Sequence, residues 1–587
     1  MYARCAVTLP NPSFWWADGC ILGDLGRPTC SRCSERGYTC TYSLIRRKPG
    51  PAARSYRGPG PSSSRTSSDH RRLSINAQSS HEDSSTPDSL SETRTFTPHN
   101  RRVPIQSESC QDPLTRSASI ADWAISSQEE RLLIETFFDT VHTAIPILSK
   151  ERFLHQHRSL LVGQNLILAI ITITAKLTEY TFSTEGFDTD AQINSLLSAE
   201  TLEGDMLGQT PSLDQFRVSC LLAFYEFHQF PGHRAWTRIG DLTRMAYRVG
   251  LDRIETLRAR YLDWGSANEA DIQEWRLVWW CVYRLDSYSN ISSGTPYLVE
   301  QETICTALIR DNLNAVPDFP GSSDQLCLPS QPSDLWKILP SLVSNPETSL
   351  YNIHIVTIAA LRQAGTATRL RFLQSPEKTI ASLSNLERSL SALRLALPSN
   401  HLNPNRNAFL NETGSAHHER LVTVLHLLMA RLLTSILMCF RPGEDGWLTG
   451  WQQALESCQN IASIAEQWNG SFSVQVDPAI AFVLFTALIF LHIHKRLGMG
   501  PSTAAQSSIE HCETILLLQL EQFGRIWTLP RLLILSLKSF RESVSGPLSQ
   551  SQVQLVLSRF EAPLHPRWLH FLSSARIDLE LFRSVPA

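Results

Sequence analysis

Three cysteines near the N-terminus have the spacing of metal ligands. Cys30 and Cys33 are separated by two residues, and Cys40 follows after six more. Two thiolates at that spacing can chelate one tetrahedral zinc ion, a third thiolate adds a ligand, and Cys20 is a candidate for the fourth. Zinc would stabilise a segment that has too few apolar residues to form a core. The sequence therefore predicts zinc as a cofactor, with free thiols in an unstructured tail as the alternative.

Cationic side chains surround these thiols and indicate a nucleic-acid partner. The nearest ones are Arg27, Arg32, Arg36, Arg46, Arg47 and Lys48. Residues 1–60 contain nine Lys and Arg against three Asp and Glu, a net charge of +6, whereas the whole chain carries −3. Cations at these places can neutralise phosphates, so DNA is the expected partner. A solvated basic tail is the alternative that charge alone leaves open.

The cysteines elsewhere favour reduced thiols, and therefore metal rather than disulfides, at the N-terminus. The chain has 13 cysteines, of which five lie in the first 40 residues. The others are scattered singly, mostly in apolar helical text, which is typical of small buried hydrophobic residues. Asn11, Pro12 and Asp18 interrupt any apolar leader, and the longest strongly apolar run, Ala479–Leu491, has 13 residues. A membrane span needs about 18–20, so an intracellular protein without a membrane partner is expected.

The segment RPTCSRCSERGYTCTY, followed by RRKPGP, resembles the second half of the fungal binuclear zinc cluster, the Zn2Cys6 DNA-binding domain. The resemblance implies six thiolates on two zinc ions, sequence-specific DNA binding and a nuclear location. The first half of the family's pattern does not match. Only Cys5 and Cys20 lie upstream, and the residues between them contain no Lys or Arg, so the basic helix that reads the major groove is absent.

Two explanations of this departure stay open. The DNA-binding domain has degenerated, or residues 1–23 come from a mis-set start or an unspliced intron. The second explanation is favoured because the triad, the arginines and the following linker are otherwise regular. The first would leave an interaction or regulatory protein that has lost DNA binding.

The chain divides by composition into three segments. Residues 1–48 form the partial zinc module. Residues 49–125 are rich in Pro, Gly, Ser, Thr and charge, too poor in apolar residues to offset the entropy of ordering, and are predicted to be a disordered linker. Zinc-cluster proteins of the resembled family often dimerise through a coiled coil after the cluster, but this linker has no heptad pattern. A homodimer therefore stays possible, and the linker gives no evidence for it. Residues 126–587 are predicted to form a large helical regulatory domain.

Helical periodicity in residues 126–587 predicts an all-α fold. Ser126 and Glu129 have capping-box spacing at the start of the first helix. One face of this helix, which Pro146 is expected to end, carries the apolar residues Ile134, Phe137, Phe138, Val141 and Ile145. Leu166–Ala175 and Val422–Phe440 are apolar nearly all round, as in helices buried inside a large α-domain. No run of strands with period 2 and hairpin turns is evident.

Three segments of the body, Leu132–His157, Ala235–Arg253 and Glu274–Pro296, resemble in order and spacing the fungal-specific transcription factor domain, or middle homology region. The resemblance covers about residues 128–330 and extends weakly towards the C-terminus. It implies a regulator of transcription that binds coregulators or senses a signal. Relatives of this class often control metabolic or secondary-metabolite genes.

Within these segments, the residue types predict structural roles first. Gly250 stands where a left-handed helix cap is required. Arg276, Arg284 and Asp286 are embedded in apolar text, so each needs a partner, since an unpaired buried charge costs several kcal/mol. The family commonly has Arg where this chain has Thr295, so an ion pair of relatives is expected to be missing. A pocket for a small apolar effector is hypothesised around three tryptophans, Trp236, Trp279 and Trp280.

An enzyme is the remote alternative. The histidine pairs of the body have no carboxylates at metal-site spacing, and the sequence shows no glycine-rich phosphate loop and no nucleophile elbow. No catalytic residue is therefore predicted.

Overall fold

The computed structural model describes residues 125–183, 186–199, 210–310, 325–344, 350–371, 373, 376–407, 411–440, 444–497, 503–544, 546–559 and 562–565. Within these ranges the chain is built of helices, and the only β pairing is two isolated bridges, Ala307 with Cys327 and Leu497 with Leu548. The all-α prediction is confirmed.

The first half of the body contains ten helices, counted over the described residues. They are α1 Ser127–Asp139, α2 Val141–Ala144, α3 Lys150–Arg158, α4 Gln164–Leu177, α5 Thr189–Ser198, α6 Leu213–Gln229, α7 His233–Val249, α8 Ile254–Arg260, α9 Leu262–Gly265 and α10 Glu269–Ser293. Helix α4 packs between α1 and α6, and α10 packs against α6 and α7.

The second half of the body begins at Leu335. Its helices are α11 Leu335–Ser344, α12 Leu350–Leu370, α13 Pro376–Ala396, α14 Gly414–Met438, α15 Glu444–Glu466, α16 Ala481–Arg496, α17 Thr503–Ile526, α18 Thr528–Ser543 and α19 Gln550–Arg559. Helix α14 lies between α12 and α15, and α16, α17 and α18 pack on one another. The halves meet where α10 contacts α12 and α18 contacts α6, and one hydrophobic core runs through both.

The predicted capping box at Ser126 is confirmed. The Ser126 hydroxyl accepts a hydrogen bond from the Glu129 backbone N–H at 3.3 Å, and the Glu129 carboxylate accepts one from the Ser126 N–H at 3.1 Å. The prediction of one helix up to Pro146 was wrong in one respect. Thr140 leaves helical geometry, with φ −126° and ψ −78°, so the segment divides into α1 and α2. The apolar face predicted for it is buried as expected.

Two glycines end helices in the left-handed conformation. Gly250 closes α7 with φ 87°, as its position predicted, and Gly294 closes α10 with φ 70°. A side chain at either position would be strained, because L-residues with a Cβ atom rarely adopt these angles. The turn at Gly250 directs the chain into α8, and the turn at Gly294 directs it into a loop that passes back along α10.

Two helices are long and apolar enough to cross a membrane by length and composition alone, Gly414–Met438 and Pro478–Arg496. In their most apolar windows, 94% and 89% of the residues are buried inside the fold. Both pack against several neighbouring helices, as the central helices of a large α-domain do. Helix α4 is shorter and is also buried on all sides: every residue from Leu166 to Ala175 is buried, as predicted.

Candidate functional site

The residues predicted to bind zinc and DNA lie outside the described part of the chain. These are the thiols Cys20, Cys30, Cys33 and Cys40 and the cations Arg27, Arg32, Arg36, Arg46, Arg47 and Lys48, and their roles stay predictions. Among the described residues, no group of three or more His, Cys, Asp or Glu side chains is placed to hold a metal ion.

The three tryptophans of the effector hypothesis do not line a common cavity. Trp279 and Trp280 are completely buried, with the Trp280 indole N–H donating to the Ala307 carbonyl at 2.8 Å and Trp279 packed edge-on against Tyr247. Trp236 is 41% exposed, and its indole N–H donates to the Asn290 side chain at 3.3 Å. The structure therefore does not bring the three tryptophans together around a pocket. Two of them are core residues, and the third lies on the surface.

The buried charges of α10 are paired, as predicted. The Arg276 guanidinium bonds the Glu255 carboxylate at 2.9 Å and the Glu269 carboxylate at 2.5 Å. Burial acts to raise the pKa of the Glu269 carboxyl, but the charges and hydrogen bonds of Arg276 and Arg258 outweigh it and hold that pKa below its usual range. This network joins the start of α10 to α8.

Asp286 is the hub of a second network, and its side chain is completely buried. One carboxylate oxygen accepts from the Asn290 side chain at 2.6 Å and from the Leu298 N–H at 3.0 Å. The other accepts from the Val299 N–H at 3.1 Å and from the Arg362 guanidinium at 3.0 Å. Asp286 thus fastens the loop after α10 to both α10 and α12, and all its lone pairs point at donors.

Arg362 completes this network from α12. Its guanidinium also donates to the Ser287 hydroxyl at 2.8 Å and to the Val299 carbonyl at 2.5 Å. It lies over two aromatic rings, 4.6 Å from the centroid of Tyr283 and 4.0 Å from that of Tyr297. Burial acts to lower the pKa of Arg362, but Tyr283, Asp286 and Tyr297 outweigh it, so the cation is retained.

Thr295, where the family commonly has Arg, takes part in the same region through neutral hydrogen bonds. Its hydroxyl donates to the Asn290 side-chain oxygen at 2.6 Å, and its backbone N–H donates to the Asn290 carbonyl at 3.1 Å. The Trp236 indole shares that side-chain oxygen. The loop is therefore held on this side by a neutral Asn290 cluster in place of an ion pair.

Arg284, one helical turn before Tyr288, faces the second half of the body. Its guanidinium forms an ion pair of 3.5 Å with Asp477, and Asp477 also lies 3.2 Å from the imidazole of His228 on α6. Burial acts to raise the pKa of Asp477, and the hydrogen bond from His228 and the charge of Arg284 lower it overall. This contact joins α6, α10 and the turn before α16.

Two buried histidines lie beside this ion pair. The His426 ring bonds the Tyr288 hydroxyl at 2.7 Å and the Thr357 hydroxyl at 3.1 Å, and His354 stands edge-on to it with ring centroids 4.8 Å apart. Burial lowers the pKa of His426 to about 3, with Arg284 acting in the same direction and Asp477 against it. Burial, followed by the charge of His426, also lowers the pKa of His354 far below its usual value. Both rings are therefore neutral at physiological pH.

An open cleft of about 430 Å³ lies next to the Asp286 network. Its walls are the loop over 296–302, the turn at 332–333, the second half of α12 and the first half of α13. Arg362 and Tyr297 form part of its floor, and Arg369 lines it further along α12. A volume of this size matches the usual range of small-molecule sites, about 300–1,000 Å³. It is the candidate ligand site of the described region.

Sequence reasoning missed the residues that build this cleft. Arg362 follows the apolar run Ile353–Leu361, so the same argument that predicted partners for Arg284 and Asp286 applied to it. Tyr297 carried a weaker signal, because it lies one position beyond the segment Glu274–Pro296 that carries the resemblance.

Comparison with known proteins finds similarity to one family of protein domains and to several fungal regulators. Residues 134–393 match the model of the fungal specific transcription factor domain. The citrinin biosynthesis transcriptional activator mrl3 of Monascus ruber is 24% identical over 310 residues, which cover 48% of this chain and 60% of that protein. The transcription factor tazR of Aspergillus terreus is 24% identical over 177 residues, 30% of this chain and 28% of its own.

A third similar protein comes from Kluyveromyces lactis. The lactose regulatory protein LAC9 of Kluyveromyces lactis is 25% identical over 171 residues, 28% of this chain and 18% of that protein. The chain thus spans 60% or less of the length of these relatives, and no solved structure matches it. Over residues 134–393 the helical body is similar to the fungal specific transcription factor domain, and the relatives that it matches are named as transcriptional activators, a transcription factor and a regulatory protein.

Proposed function

We propose that the protein is a nuclear regulator of transcription that binds DNA sequence-specifically through a zinc-bearing module in residues 1–48. The helical body is its regulatory domain. The match of residues 134–393 to the fungal specific transcription factor domain carries this proposal. The spacing of Cys30, Cys33 and Cys40 and the cations around them support the zinc and DNA parts.

We propose that the protein controls metabolic genes, and that genes of secondary metabolism are the first candidates. Two similar proteins are named as activators of citrinin biosynthesis, and a third as a lactose regulatory protein. Transcriptional coregulators are the proposed protein partners of the body, and a second copy of the chain is a further one.

A second candidate function is a regulatory protein that acts through protein contacts without binding DNA. One observation favours it: the residues between Cys5 and Cys20 hold neither a second C-x2-C pair nor any Lys or Arg. A major-groove reader needs cations and hydrogen-bond donors on its recognition helix. Such a protein would keep the helical body and compete with intact relatives for their partners.

One experiment on the full chain separates the two functions. Zinc content is measured by metal analysis, and retention on genomic DNA fragments is followed across a salt series. The first function predicts bound zinc and a DNA complex whose affinity falls steeply with salt, since released counterions drive such binding. The double variant Cys30→Ser/Cys33→Ser should lose both properties.

The matched control is Cys305→Ser, which changes an exposed thiol of the helical body. It should keep zinc and DNA binding at the level of the unchanged protein. Zinc-free protein that ignores DNA at every salt concentration would contradict the first function and favour the second.

A further inference from the structure

The cleft beside the Asp286 network has a floor that is fixed before any ligand arrives. Arg362 is held by Asp286, Ser287 and the Val299 carbonyl, and its guanidinium carbon lies 4.0 Å from the centroid of the Tyr297 ring. Gly365 makes this contact possible. A Cβ atom at that position would lie 2.6 Å from the Tyr297 hydroxyl oxygen. A site built on such locked side chains binds with little loss of conformational entropy.

Two hydrogen-bond donors in the cleft have no partner among the described residues. The Arg369 guanidinium, two turns after Arg362 on α12, forms no ion pair there, in contrast to Arg362. The Tyr297 hydroxyl also forms no hydrogen bond there. Burial raises the pKa of this phenol, so it keeps its proton and remains a donor. Gly365, which lies against the Tyr297 hydroxyl, is four positions before Arg369 in the same helix, so the two donors lie on one face of α12.

The opposite side of the cleft is mixed in polarity. Leu370 of α12 and Leu383 and Leu386 of α13 supply apolar surface, and Thr379, Ser382, Asn385 and Ser389 of α13 supply polar side chains beside it. Two acids, Glu300 and Glu302, lie on the loop side, where both are exposed to solvent and their charges are screened by water and salt. The cleft therefore offers an anion contact at one place and an apolar surface beside it.

We propose that this cleft binds a small carboxylate with an apolar body, whose carboxylate bonds Arg369 and Tyr297 and whose body packs on Leu370, Leu383 and Leu386. A carboxylate accepts from a guanidinium and a phenol together, and such charge-assisted bonds are the strong ones. This inference goes beyond the proposed function, because ligand binding requires no DNA. Since the cleft joins the loop after α10 to α12 and α13, its occupant would stiffen the contact between the halves of the body.

The test is isothermal titration calorimetry of the full chain without DNA. The probes are phenylacetate and 4-methylpentanoate, each compared with its neutral amide, and benzylamine as a cation of similar shape. Both carboxylates should bind saturably in the micromolar to millimolar range, and the amides at least about tenfold more weakly, since a hydrogen bond to a charged group is lost. Arg369→Gln should weaken carboxylate binding by about the same factor.

Two further variants guard against indirect effects. Arg394→Gln removes an exposed cation on α13 outside the cleft and should bind as the unchanged protein does. Ser382→Trp places an indole into the cleft from the exposed side of α13 and should abolish binding while the melting temperature is retained. Equal carboxylate affinity in Arg369→Gln, benzylamine binding as tightly as phenylacetate, or no saturable binding of either carboxylate up to millimolar concentration would each overturn the proposal. Failure to bind DNA would leave it untouched.

Discussion

The Asp286 carboxylate and the Arg362 guanidinium lie 3.0 Å apart in the interior, 76 positions apart in the sequence. Each is surrounded by further hydrogen-bond partners, and both side chains are buried. An ion pair of this kind adds little net free energy of folding compared with apolar residues, because both charges have lost their hydration. If only one of the two charges is removed, the other remains buried without a partner, and the folded state is strongly destabilised.

Replacing Asp286 should therefore be severe. Asp286→Ala leaves the buried Arg362 cation unpaired and frees the N–H groups of Leu298 and Val299, so we expect a loss of about 3–5 kcal/mol in the free energy of unfolding. Urea denaturation followed by circular dichroism measures it. Asp241→Ala is the control, since Asp241 pairs with Arg244 on the exposed side of α7 and should change stability by about 0.5 kcal/mol or less. Equal losses in the two variants would contradict the role given to Asp286.

The stability of the body should fall as the pH falls from about 6.5. In the unfolded chain His426 takes up a proton near pH 6.5, its ordinary pKa, whereas in the folded protein it does so only near pH 3. Between these values the unfolded state binds the additional proton, so each lowering of the pH favours unfolding by about 1.4 kcal/mol per unit for this histidine. His354 acts in the same direction. Above pH 6.5 the contribution is constant.

Urea denaturation at a series of pH values between 7 and 5 measures this slope. His426→Gln should reduce it, because glutamine does not titrate, even though the variant itself is less stable through the loss of the Tyr288 and Thr357 contacts. His155→Gln, at an exposed position of α3, should leave the slope as it is. An unchanged slope in His426→Gln would show that His426 is protonated in the folded protein.

Replacement by alanine should have opposite effects at two glycines, Gly240 inside α7 and Gly250 at its C-terminal cap. Gly250→Ala places a Cβ atom at φ 87° and 2.8 Å from the Leu257 side chain, so we expect a loss of about 1–2 kcal/mol. Gly240 is inside the same helix, and a Cβ atom there would have only ordinary contacts of 3.4 Å and more. Gly240→Ala should thus be neutral or stabilising by up to about 1 kcal/mol, because alanine favours the helix. Thermal and urea denaturation of both variants check the difference in sign.

Local sequence patterns predicted the features that depend on neighbouring residues. The capping box at Ser126 and the cap at Gly250 each involve contacts within about four positions. The rule that buried charges are paired also predicted correctly that Arg284 and Asp286 have partners. It did not identify them, because Asp477 and Arg362 are brought near only by the packing of the second half onto α10.

The cleft was beyond sequence reasoning for a related reason. The effector hypothesis placed a pocket at Trp279 and Trp280, but both side chains are completely buried and the close packing of a protein core leaves no space beside them. The cleft arises where a loop, two helices and a turn fail to close completely. Such a gap depends on the relative placement of elements that lie up to about 90 positions apart in the chain.

The three charged residues in the middle of α10 point to three different parts of the body. Arg276 pairs with α8 and the start of its own helix, Arg284 with the turn before α16, and Asp286 with α12. Successive residues of a helix are about 100° apart around its axis. A rotation of α10 by a single residue would therefore separate all three pairs together, which gives the helix one stable rotational setting. Any conformational change that turns α10 has to exchange these contacts in one step, so the body should pass between discrete states and not along a continuous range.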